Sequence, residues 1–249
     1  MKRRIAFLLV ASLLAVAIGA ASMDEAADRD PADLTLFQFV RIQYNSYLAS
    51  GWGWGRNGPP WAHDYPRAEN NFLKILSELT TVETSEQSFR VLRMHDKEIM
   101  NYPFLYVSEP GYWDITESES ENLRAYLDRG GFVLFDDFRG VEEWRNLVRS
   151  MQEVYPDRNF RQLSIDNPVF QCFFNIDSLD LPAPYELPGM GEPTFYGMSD
   201  DDGRLFAVAC FNTDIGDYWE WSDEAITAIE LSNEAYKFGV NFVVYALTH

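Results

Sequence analysis

Apolar residues recur along this chain in two rhythms that alternate. Over residues 37–44 (FQFVRIQY) apolar and polar positions take turns among aromatic and β-branched side chains, which predicts a first strand. Residues 68–79 instead set Phe72, Ile75, Leu76 and Leu79 at helical spacing, with Pro66 just upstream and Thr80-Thr81 at the end. Short strands are predicted over residues 89–92 and 104–107. Thr116-x-x-Glu119 then forms a capping box, and the helix it opens runs to Arg129 and stops at Gly130-Gly131. Residues 132–135 (FVLF) are a wholly apolar strand followed by an acidic turn, Asp136-Asp137, and a helix over about 141–154 closes at Pro156.

The second half changes rhythm. Residues 170–176, 194–198 and 205–212 read as strands separated by proline and glycine rather than by helices, and residues 214–221 read as an acidic, aromatic loop. A last helix over about 233–247 carries Ala235, Phe238, Phe242, Val243, Tyr245 and Ala246, too apolar to face water all round, and should dock on the sheet. The alternation over residues 34–155 predicts an α/β fold: a three-layer sandwich with one mostly parallel sheet and helices on both faces. One domain should span residues 34–249.

Residues 1–33 stand apart. Lys2-Arg3-Arg4, an apolar run over 5–17 and small residues through Ser22 predict a secretory signal peptide cleaved near Ala21, with an uncleaved N-terminal anchor as the alternative. Residues 22–33 read as a flexible lead-in. The expected location is secreted or periplasmic, with no membrane insertion after cleavage.

Charge narrows the partners. With 39 acidic against 20 basic groups the formal net charge is −19, which repels nucleic acid and anionic membranes. The two cysteines, Cys172 and Cys210, sit in apolar runs and read as buried thiols more readily than as a disulfide.

Several phrases occur together: Trp61-x-x-Asp64-Tyr65-Pro66-x-Ala68-x-x-Asn71, Tyr102-Pro103-Phe104, Leu123-Arg124-x-Tyr126-Leu127-x-x-Gly130-Gly131-Phe132, Asp136-Asp137 and Gly216-Asp217-x-Trp219-Glu220. In these the chain resembles the bacterial domain-of-unknown-function family 4159 over residues 37–248. The resemblance implies a flavodoxin-like architecture similar to class I glutamine amidotransferases. Those enzymes carry a cysteine nucleophile on a sharp turn after a central strand, served by a histidine and a carboxylate. Here residues 135–140 (FDDFRG) hold neither thiol nor serine, and the histidines are His63, His95 and the terminal His249. Glutamine amidotransferase activity is therefore not expected.

What remains as candidate chemistry is acidic and aromatic. Asp136 and Asp137, at a strand end where α/β proteins bind ligands, are candidate catalytic acids or cation ligands, or else caps of the next helix. His63 and Asp64 form a pair able to hold a metal or move a proton, while Asp64 could instead cap the helix after Pro66. Trp52 and Trp54 lie on a glycine-rich loop as stacking platforms for sugar rings or as packing plugs, and Asp217 and Glu220 could face the acidic turn across a cleft. Asp200-Asp201-Asp202-Gly203 reads as a hairpin turn rather than a calcium loop. The sequence assigns neither cofactor nor metal. The expectation is a non-catalytic module of the cell envelope that binds a glycan or a partner protein through an acidic cleft. The alternative is a carbohydrate-acting hydrolase, metal-assisted or not, using Asp136 and Asp137.

Overall fold

A computed structural model describes residues 35–46, 58–85, 88–185, 187, 190–224 and 226–249; the expected leader and lead-in, and Trp52 and Trp54, lie outside the described residues. The alternating pattern near the start becomes strand β1 (Phe39–Gln43), followed by helix α1 (Arg67–Leu79), β2 (Phe89–Arg93) and β3 (Phe104–Ser108). Then come α2 (Glu117–Asp128), β4 (Phe132–Phe138), α3 (Gly140–Val154) and the two-residue strand β5 (Arg161–Gln162). The chain ends with β6 (Thr194–Ser199), β7 (Leu205–Phe211), α4 (Ile215–Glu220) and α5 (Ile229–Thr248).

The seven strands form one sheet in the order β2-β1-β3-β4-β7-β6-β5. Its first five are mutually parallel, and β6 and β5 extend it by antiparallel pairing. Period-two alternation assigns the faces. Phe39, Phe104, Phe132, Leu134 and Val208 share a core with α1, α4 and α5, whereas their neighbours Val40, Leu105, Val133 and Phe135 lie on the side of the paired helices α2 and α3. Both faces are thus covered.

Local signals mostly act as read. Thr116 accepts from the Glu119 amide while Glu119 receives the Thr116 amide, so both halves of the capping box form. Asp200 turns the β6–β7 hairpin, accepting the amides of Asp202 and Arg204, with Gly203 at φ 87°. Helix α5 begins four residues earlier than expected, because residues 229–232 add a first turn ahead of its buried face. It docks through Phe238 and Phe242, and Phe238 stacks on Phe195 of β6 at 4.7 Å. Burial of each such ring is worth about 1.5–3 kcal/mol. Among the described residues no helix is long and apolar enough to cross a membrane.

Three expectations need correction. Residues 170–176 are not a strand: Pro168–Phe170 is a 3-10 turn, and α5 supplies the hydrogen bonds a sheet would have given, with Asn241 bonding both the amide and the carbonyl of Phe174. Asp136 and Asp137 stand inside β4 rather than in a turn after it, since the strand runs on to Phe138. Residues 215–220 are helical, because Asp214 caps them by accepting the Asp217 amide at 2.8 Å. Cys172 and Cys210 are both free thiols.

Candidate functional site

Four non-glycine residues among those described have left-handed backbones: Asp64 (φ 66°), Glu109 (φ 49°), Asp137 (φ 55°) and Asn212 (φ 57°). All four gather at one rim of the fold. Glu109 directly follows β3, Asp137 bends the end of β4, Asn212 directly follows β7, and Asp64 sits in the segment leading to α1. Such backbones cost free energy and cluster where a structure holds side chains for a purpose.

Asp137 shows what the bend achieves. Along a regular strand Asp136 and Asp137 would point to opposite faces, but the register between β4 and β7 shifts between Phe135 and Phe138, around the left-handed residue. Asp136 points under α4, where it accepts the Tyr106 hydroxyl at 2.8 Å and the amides of Ile215 (3.2 Å) and Gly216 (2.9 Å). Asp137 points outward along the rim, with His63 Nδ1 2.8 Å from its Oδ2 and Arg139 Nη2 and the Tyr185 hydroxyl on its Oδ1. Tyr185 is also 2.9 Å from Asp214 Oδ2, so its one proton serves either acid.

The segment carrying His63 and Asp64 is held from below. Arg41, fully buried in the middle of β1, pairs with Glu69 of α1 and donates to the carbonyls of Trp61 (3.0 Å) and His63 (2.8 Å). Asp64 does not cap α1 with its side chain. Its carbonyl takes the Ala68 amide at 2.9 Å, which leaves the carboxylate turned inward. The tertiary reason for the close approach is Gly216, where a Cβ would fall 2.6 Å from both Asp64 Oδ2 and the Tyr106 hydroxyl. Gly216→Ala should therefore push Asp64 off its position and cost about 1–3 kcal/mol; a denaturant titration showing wild-type stability would contradict this packing.

These groups surround a hollow of about 660 Å³ whose walls include His63, Asp64, Glu109, Arg139, Asp217 and Glu220, with Tyr65, Tyr112, Tyr185 and Trp221 as aromatic surface. Asp137 and Asp214 stand directly behind His63, Arg139 and Tyr185, and Asp136 lies deeper, fully buried. Of the residues proposed from sequence, His63, Asp64, Asp217 and Glu220 thus share one hollow, with Asp137 touching its wall and Asp136 beneath it. Trp61, which follows the glycine-rich stretch carrying Trp52 and Trp54, is buried.

Crowding sets the protonation. Burial, then the charges of Asp64 and Asp137, push Asp217 up to about 8; burial and Asp64 push Glu220 to about 7, and burial and Asp137 push Glu109 to about 10. Burial and Asp137 likewise raise Asp136 to about 7, against the hydrogen bonds it accepts, and hold Asp214 well above the carboxylate range. Asp137 goes the other way. Burial opposes its charge, yet the hydrogen bond from His63 and the charge of Arg139 hold it below its ordinary value. Burial would lower His63, but its hydrogen bonds to Asp137 and Asp64 raise it to about 12. At neutral pH the site therefore holds an ionised Asp137 and an imidazolium beside Glu109, Asp214 and Asp217, which keep their protons, while Asp136 and Glu220 are part-ionised.

Two sets of three side chains bring one potential metal-ligating atom each to within 4.8 Å of one another: His63, Asp137 and Asp214, and His63, Asp64 and Asp217. Glu109, Arg139, Tyr185 and the Arg41–Glu69 pair are not among the candidates read from the sequence, and Asp214 is read there only as part of the acidic loop. A signal existed for two of them. Glu109 is the first residue after the strand of residues 104–108, and Arg41 interrupts an otherwise apolar strand centre. For Tyr185, in irregular chain, there was none.

A sequence model of a family described as a domain of unknown function, DUF4159, matches residues 38–247. No curated protein matches the chain.

Proposed function

Because the chain belongs to the DUF4159 family, whose description names no activity, we propose from the site itself that the protein is a binding module. Its acidic hollow takes a small ligand that carries positive charge together with hydroxyl groups. One observation carries the reading: carboxyl groups from four segments crowd one hollow, Asp64, Glu109, Asp217 and Glu220 on its wall and Asp137 and Asp214 directly behind it, where their mutual repulsion costs stability. A purely structural role would spread them or pair each with a base; a ligand bringing positive charge relieves the repulsion. The size is that of a small-molecule site, and the tyrosines and Trp221 offer flat apolar faces of the kind that sugar rings pack on.

The strand order β2-β1-β3-β4-β7 supports the finer, flavodoxin-like reading of the fold, in which ligands bind outside the carboxyl ends of the parallel strands. Export is part of the proposal on residues 2–22 alone, and so is an envelope glycan or partner protein as the ligand's source. A second reading, hydrolysis, is favoured by one feature: Asp137 is held ionised while Asp217 keeps its proton to about 8, the separation of base and acid that hydrolytic pairs use.

Three probes test the reading by thermal shift and calorimetric titration: a β-1,4-linked glucosamine trimer, its N-acetylated counterpart and spermidine. The amino trimer should bind best, and Asp217→Asn with Glu220→Gln should weaken it at least tenfold. Binding of none of the three at millimolar concentration would sink the proposal. Shortened sugars detected by mass spectrometry after incubation would favour the hydrolytic reading.

A further inference from the structure

The inner wall of the hollow contains a buried acid that the protein satisfies only in part. Asp64 is 5% exposed; its Oδ1 pairs with His63 Nδ1 at 3.0 Å, and its Oδ2 accepts no hydrogen bond from an amide, a hydroxyl or a basic side chain. Asp64 shares that imidazole N–H with Asp137, whose Oδ2 is 2.8 Å from the same nitrogen. Its other near neighbours in the hollow include Asp217 and Glu220, acids themselves. A buried carboxylate oxygen without a donor is costly to hold, and such groups call for a missing partner.

We propose that His63, Asp64 and Asp217 bind one divalent cation at the inner wall of the hollow. The inference rests on the reading that this hollow is the working site, and it names an occupant for it. The donor atoms of these three residues lie within 4.8 Å of one another, and the 3.0 Å between His63 Nδ1 and Asp64 Oδ1 matches two ligands on one ion, for which bond lengths near 2.1 Å give about 3.0–3.4 Å. The alternative set through Asp137 and Asp214 is less fit for the task. Those acids are already engaged by Arg139 and Tyr185 and do not line the hollow, whereas Asp64 and Asp217 do.

The donor set also narrows the ion. One imidazole with two carboxylates suits a first-row ion such as Mn²⁺ or Zn²⁺ better than Ca²⁺, which prefers six to eight oxygens. Three protein ligands leave positions facing the hollow for water or for an oxygen of the bound ligand. Binding displaces the proton that now joins His63 to Asp137, as at any imidazole ligand. A cation there completes the partnering of Asp64, which His63 alone provides only in part.

The test uses purified protein stripped by chelator and titrated calorimetrically with MnCl₂, ZnCl₂ and CaCl₂, with Mn²⁺ paramagnetic resonance as a second readout. One equivalent of Mn²⁺ or Zn²⁺ should bind, Ca²⁺ at least tenfold more weakly, and Asp64→Asn and Asp217→Asn should each weaken binding at least tenfold. His95→Ala, at an exposed His-Asp pair, should change nothing. Absence of stoichiometric binding of Mn²⁺ and Zn²⁺, or affinity unchanged in both folded Asp variants, overturns the site. The glucosamine titration is run separately on stripped protein, so that glucosamine binding without metal binding would end this inference alone, and metal binding without any probe binding would end the broader one alone.

Discussion

Arg41→Met is expected to destabilise the protein by about 3–5 kcal/mol, the range for removing one partner of a buried ion pair. Arg41 and Glu69 are both fully buried, so the substitution strands the Glu69 carboxylate, whose pKa burial already pushes up against the pull of Arg41. It also removes the donor to the carbonyls of Trp61 and His63. A double variant, Arg41→Met with Glu69→Leu, separates the two effects. It should recover most of the stability, because two apolar side chains replace two opposed charges. It should not recover binding in the hollow, since the segment presenting His63 and Asp64 stays untied. Chemical denaturation read beside metal and glucosamine titrations would check this; a double variant that binds like wild type would show that Arg41 does not position His63.

The second large effect is on pH. Carboxyl groups whose folded-state pKa is raised contribute stability that is fully present below their unfolded value, near 4, and lost as pH rises through the folded value. Asp136 at about 7, Asp217 at about 8 and Glu109 at about 10 all act in this direction. His63, raised to about 12, adds a contribution of the same sign that fades above pH 6.5. In the site Asp137, lowered, contributes stability that is lost on acidification, as the exposed Asp223 beside Arg67 does at the surface, and that loss begins below pH 3.8. Metal-free protein should therefore be most stable near pH 4–5 and weaken steadily towards pH 8. Each proton retained only by the folded state gives a slope of about 1.4 kcal/mol per pH unit, or roughly 3–6 °C in Tm. Asp136→Asn should flatten the part of the curve between pH 4 and 7. A stability maximum at pH 8 would show that the folded state does not hold these protons.

Excess acid is what a cation or a cationic ligand would exploit. Added Mn²⁺ should raise Tm most at pH 7–8, where the acids that bear the strain have begun to ionise, and least near pH 5, where protons already occupy the site.

The layers of the fold were legible because they follow from short-range rules. Period-two alternation over residues 37–44, helical spacing at Phe72, Ile75, Leu76 and Leu79, the capping box at Thr116 and the stop at Gly130-Gly131 each act within a few residues, and the corresponding β1, α1 and α2 appear where the rules put them. The rules failed where distant chain supplies the hydrogen bonds. Asn241 on α5 satisfies the backbone around Phe174, so an apolar run that reads as a strand need not pair. Asp214 caps a six-residue helix too short to show a period.

By itself, then, the sequence determined the α/β class, the order of most elements and the acidic residue types that the site would draw upon, since patterning and caps are encoded within one turn or one strand. Only the tertiary structure decided which acids meet. His63 and Asp64 reach Asp217 across more than 150 residues because Arg41 ties down one segment, Gly216 admits the other without a Cβ, and a left-handed Asp137 turns the end of β4 into the wall. Convergence of that kind depends on strand order and close packing, which no local pattern records.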